Sequence, residues 1–112
     1  MNERRKFKRI HLIHYLAIFD RDTNKLLGNL VDITPEGILM ISENSVEKGQ
    51  VRHFRMNLPD DFTAAKEINF DVESVWCEVD INPDMFAIGY RLLDVPRDDE
   101  ATIYNLIEEY RD

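Results

Sequence analysis

In the stretch "VDITPEG", Asp32 and Thr34 stand two residues apart, just ahead of a turn. Along a strand that spacing puts a carboxylate and a hydroxyl on one face. Thr34 precedes Pro35 and is therefore held extended, which keeps the pair together. A fixed carboxylate beside a hydroxyl can take the N1–H and N2–H₂ edge of guanine, because purine edges are told apart by donor and acceptor pattern. Pro35 second and Gly37 fourth fit a type I turn between two strands. Gly37 would let a ligand ring or another backbone segment come close. By itself, Asp-x-Thr-x-x-Gly is also an ordinary turn sequence.

A second group of chemistry-bearing residues opens the chain. "ERRKFKRI" puts Arg4, Arg5, Lys6, Lys8 and Arg9 into six consecutive positions of a 112-residue protein whose net charge is -8. The first ten residues carry five Lys/Arg against Glu3 alone, a local +4, so the remainder holds 9 Lys/Arg against 21 Asp/Glu, or -12. A body that acidic repels long polyanions, so nucleic acid is a poor partner. A small anion touching only the arm is compatible with it. Arg5 and Arg9 lie four residues apart with Arg4 beside them, and guanidinium forks grip phosphate bidentately or stack on a flat base. Taken alone, such an arm is also what a solvated, frayed terminus looks like.

Other residue groups lead to no chemistry. His11 and His14 share a face on a helix but not on a strand, and their segment reads as strand. With His53 isolated and Cys77 the single cysteine, neither a metal centre nor an internal disulfide is expected. No nucleophile–base arrangement, phosphate-cradling loop or paired catalytic carboxylates stand out, so the chain reads as a binding protein and not an enzyme. No apolar run reaches membrane-spanning length and no secretory leader is apparent, so a cytoplasmic protein that does not engage membrane is expected.

Positioning these residues requires a rigid frame, and the patterning supplies one. Length allows one domain with a real core. Two-residue alternation predicts strands near His11–Phe19, Leu26–Ile33, Gly37–Ser42, Val51–Leu58, Ile68–Val79 and Met85–Leu93, separated by turn formers such as "DRDTNK" and "INPD". After Pro96, Ile103, Leu106, Ile107 and Tyr110 recur at helical spacing behind an acidic start, which predicts a helix over 97–111. Six antiparallel strands and one terminal helix suggest an all-β barrel that closes its own edges. One strand changes parity: Ile68, Phe70 and Val72 share a face, whereas Val75, Cys77 and Val79 share the other. A bulge at Glu73–Ser74 would do this and turn Trp76 outward with Ser74 and Glu78. Without a bulge, Trp76 continues the core set.

Arg-x-x-x-Arg as Arg5–Arg9, followed by "DITPEG" with Thr34 in a serine position, resembles the paired signature of the PilZ domain family, and "VWCEVDINPDMFAIGYRLLDV" resembles its last two strands. The likeness covers essentially the whole chain. It implies a single domain over 1–112, with a flexible basic arm at 1–10, a six-stranded barrel at 11–95 and a C-terminal helix. It also implies a receptor for cyclic di-GMP that needs no cofactor and signals to a downstream protein partner. In that scheme Arg5 and Arg9, helped by Arg4, take phosphates and guanine faces. Asp32 and Thr34 read a guanine, Gly37 keeps the approach open, and an outward Trp76 offers a stacking surface. Thr34 departs from the pattern by one methyl and a stiffer side chain, with at most a modest loss of affinity expected. The alternative within the same family is an interaction module that binds a protein and no nucleotide.

Overall fold

A computed structural model of the chain describes residues 16–58, 66–95 and 97–110. Six antiparallel strands form a closed barrel: β1 Ala17–Asp20, β2 Leu26–Ile33, β3 Gly37–Ser42, β4 Val51–Asn57, β5 Glu67–Val79 and β6 Phe86–Leu92. Around the barrel they run β1-β2-β3-β6-β5-β4. A helix, α1, follows at Arg97–Tyr110. The expected architecture is therefore the observed one, with β2 and β3 bounded as the turn residues foretold. The segment expected to begin the first strand, residues 11–15, and the basic arm with Arg4, Arg5 and Arg9 lie outside the described residues.

Alternation builds the core. Ile38 and Met40 on β3, Phe54 and Met56 on β4, and Ile68, Phe70 and Val72 on β5 all point inward and are buried. Each such side chain contributes about 1.5–3 kcal/mol on leaving water. Phe54 sits at the centre, edge-on to Phe70 at 6.0 Å and to Tyr90 at 5.0 Å between ring centroids. Its truncation to Ala should cost about 3–5 kcal/mol. Ile103 and Leu106, three residues apart on one face of α1, complete the same core as the helix packs against β5.

Two bulges aim residues that matter below. In β2 the register steps from Leu30 to Asp32, leaving Val31 as the extra residue. In β5 it steps from Ser74 to Trp76, leaving Val75 extra. The parity change expected at Glu73–Ser74 thus falls one residue later, and Ser74 is not outward but buried at 1% exposure. The reason is a hydrogen-bonding task. Its hydroxyl donates to the Glu47 carbonyl at 2.6 Å and accepts from the Gln50 amide at 2.9 Å, tying the β3–β4 loop to the barrel. Beyond the bulge the wall inverts, and Trp76 faces out as the bulged reading required.

Candidate functional site

The hairpin between β2 and β3 is closed by its own threonine. Thr34 and Gly37 exchange backbone hydrogen bonds, N–H to O at 2.8 Å and 3.3 Å, around Pro35 and Glu36. The Thr34 hydroxyl accepts from the Gly37 amide at 3.2 Å and the Glu36 amide at 3.3 Å. This i to i+3 closure, with no positive φ at Glu36, fits the type I turn. Asp32 is exposed, and its Oδ1 accepts from the Ile33 amide at 2.9 Å, which fixes the carboxylate against the strand end. A Cβ at Gly37 would stand 2.2 Å from the Tyr90 carbonyl oxygen. Of the two uses foreseen for this glycine, close approach of another backbone is the one the geometry requires.

The neighbouring wall is built by β5 and β6. Trp76 is 41% exposed, and its five-membered ring covers Gly89 on the adjacent strand. Next to it, Arg91 opposes Gly37 on one side and Glu73 on the other. The Arg91 guanidinium is ion-paired with Glu73, yet its side chain is 60% exposed.

These parts enclose one open cavity of about 390 Å³, lined among others by Asp32, Thr34, Glu36, Gly37, Trp76 and Arg91. Four residues singled out from sequence, Asp32, Thr34, Gly37 and Trp76, are therefore brought together. Arg91 and Gly89 were missed. A glycine inside "FAIGYR" is a sign of close approach in a strand, but the partner that approaches is visible only in the folded barrel.

Elsewhere, Asp71 on β5 is shared by Arg21 and His53. Its Oδ1 lies 2.8 Å from His53 Nδ1 and accepts from the Arg21 guanidinium at 2.6 Å. The hydrogen bond to Asp71 raises the His53 pKa above its ordinary value, and the same bond, with Arg21, lowers that of Asp71 against the opposing effect of burial. Among the described residues no His, Cys, Asp and Glu cluster has the makings of a metal site, and no helix is long and apolar enough to cross a membrane.

The family model for the PilZ domain matches residues 3–109 of the chain. Among solved structures, the PilZ domain with c-di-GMP of YcgR from Escherichia coli superposes with a TM-score of 0.64 at 16% identity, over 86% of this chain and 80% of that one. The Bacillus subtilis inhibitor of motility (MotI/DgrA) gives a TM-score of 0.64 at 12% identity, over 83% of this chain and 44% of that one, so this chain spans less than half of its length. At these identities the likeness is one of fold. Comparison with curated proteins yields no significant match.

Proposed function

This chain belongs to the PilZ domain family, and from that premise we propose that it is a cytoplasmic receptor for cyclic di-GMP that binds the nucleotide and does not transform it. The observation that carries the reading is the convergence of the Asp32–Thr34 turn, Trp76 and Arg91 on one cavity. Asp32 reads the N1–H and N2–H₂ edge of a guanine. Thr34 holds the turn that presents Asp32, and the indole of Trp76 takes the flat face of a base.

Charge explains why the arm is needed. The cavity offers one guanidinium, Arg91, already paired with Glu73, against Asp32 and Glu36. Two phosphates bound there would be under-compensated. Arg4, Arg5 and Arg9 supply the missing positive charge by closing over the ligand, with bidentate grips on phosphate and stacking on the second base.

The energetics are a balance. Charge-assisted hydrogen bonds contribute roughly 1.5–3 kcal/mol each, and base stacking about 1–3 kcal/mol per base. Fixing about six arm residues costs on the order of 6–12 kcal/mol. A micromolar complex needs about 8 kcal/mol net, so affinity falls between sub-micromolar and tens of micromolar. Ordering of the arm is the signal, because it changes the surface shown to a downstream protein.

Calorimetric titration with cyclic di-GMP, with GTP as control, tests this. Saturable binding in that range that GTP does not mimic is the expected result. Absence of heat, together with absence of competition at any salt concentration, would overturn the receptor reading and favour a protein-docking module.

A further inference from the structure

Strand β4 turns a cation toward the barrel interior. Arg52 shares the parity of the wholly buried Phe54 and Met56, and it stands opposite Val72 on β5. A guanidinium so directed is costly to desolvate unless its donors are met. Among the described residues it meets a neutral acceptor, Oε1 of Gln50 at 3.1 Å, and no carboxylate within ion-pair distance. Close to it lies the Tyr90 phenol, on a residue only 4% exposed, which takes no hydrogen bond among the described residues. Burial pushes its pKa up to about 12, with Arg52 pulling the other way, so at neutral pH the phenol is a donor.

Both groups line a cavity of about 360 Å³ at the end of the barrel where the β1–β2 turn and the β3–β4 loop meet. That volume lies within the range of small-molecule sites. Leu27, Met40, Val46 and Phe54 supply its apolar part, and Asp20, Ser42, Asn44 and Ser45 share the polar remainder. Two of the polar groups nearby are already engaged. Asp20 accepts from the Asp22 and Thr23 amides, while Ser42 donates to the Leu27 carbonyl and accepts from the Asn44 amide. Lys25 at the rim offsets the negative charge of Asp20. Arg52 and Tyr90 are donors set beside the apolar Leu27, Met40 and Phe54, and the chemistry that answers that pairing is an anionic acceptor on a hydrophobic body.

We propose that this barrel mouth is a second ligand site, for a small monocarboxylate with an apolar tail, its carboxylate on Arg52 and Tyr90 and its tail against Leu27, Met40 and Phe54. Tyr90 is the one residue lining both this cavity and the Trp76 face, and it serves the latter's geometry through its backbone carbonyl beside Gly37.

Octanoate, octanol and octylammonium, each below its self-association limit, are titrated into the ¹⁵N-labelled full chain and followed by amide chemical shifts. Octanoate should move the Leu27, Val46 and Tyr90 amides saturably, with octylammonium at least about tenfold weaker, as loss of a charge-assisted contact requires. Arg52→Gln should weaken octanoate by a similar factor, and Tyr90→Phe by less. Equal shifts with octanoate and octylammonium, no saturable shift at all, or unchanged octanoate binding in a folded Arg52→Gln chain would each overturn the proposal. If Arg52→Gln does not fold, the comparison of octanoate with octylammonium on the native chain decides the matter alone.

Discussion

The indole of Trp76 occupies the space that any side chain on Gly89 would need: a Cβ there would stand 2.2 Å from the indole Nε1 and 2.4 Å from Cε2. Gly89 therefore makes the flat seat of Trp76 possible, and the aromatic plate of the candidate site depends on two residues from adjacent strands. Gly89→Ala should displace the ring. Because the ring edge is partly exposed and can swing outward, unfolding should show a loss of no more than about 1–3 kcal/mol. Titration should show cyclic di-GMP binding weakened about as much as by Trp76→Ala, which removes about 1–3 kcal/mol of stacking. Native affinity in both variants would exclude Trp76 from the ligand.

The arm predicts a separation of binding from stability. Arg5→Ala and Arg9→Ala should each abolish or strongly weaken cyclic di-GMP binding, since each removes a bidentate phosphate or base contact. Thermal melts of the free protein should be nearly unchanged, as expected of an arm that acts by closing over the ligand. Binding of the native chain should fall only shallowly with salt, as expected for a ligand with two phosphates. Normal affinity in both variants would remove the arm from the mechanism.

The turn makes different demands on its two polar residues. Asp32→Ala should weaken cyclic di-GMP far more than any binding of a cyclic di-adenylate analogue, because adenine lacks the donor edge a carboxylate reads. Equal losses would mean that Asp32 does not recognise guanine. Thr34→Ser keeps the hydroxyl that accepts from the Glu36 and Gly37 amides and should be close to neutral. Thr34→Val removes that acceptor and should cost about 1–2 kcal/mol of stability, read from denaturant unfolding.

Strand bounds and the barrel were legible because alternation and turn formers are local signals: "DRDTNK" and "TPEG" bracket β2 without reference to anything distant. The parity switch in β5 was legible too, but its position was not. Ser74 is small and polar, and only its partners Glu47 and Gln50, more than twenty residues earlier, hold it inside. Gly89 and Arg91 escaped for the same reason, since what each meets, Trp76 and Glu73, is a neighbour across a strand pair. The inward course of Arg52 was equally hidden, because a charged residue at a strand start reads as surface until the register is known.

Ser74 tests that lesson directly. Ser74→Ala would leave the Glu47 carbonyl and the Gln50 amide without their side-chain partner inside the structure. The expected loss is about 1–3 kcal/mol, with faster amide exchange confined at first to the β3–β4 loop. An unchanged midpoint of unfolding would mean that water replaces the hydroxyl at no cost.

The Asp71 cluster predicts a pH dependence of stability with a definite sign. His53 has a raised pKa in the folded chain, so its contribution is fully present below its unfolded value near 6.5 and is lost as pH rises through the higher folded value. Asp71 has a lowered pKa, so its contribution is present above the ordinary 3.8 and disappears as pH falls through the depressed folded value. Between those limits the pair is charged on both sides, with Arg21 as a third member. The native chain should therefore lose some stability both on acidification below the carboxylate range and on passing from mildly acidic to alkaline pH. His53→Gln should flatten the upper slope and Asp71→Asn should flatten both, because the raised His53 pKa rests first on its bond to Asp71. Since His53 is well exposed, the effect should be small and should shrink with added salt. Thermal melts of the three chains across pH decide it, and parallel profiles would show that the cluster contributes nothing measurable to folding.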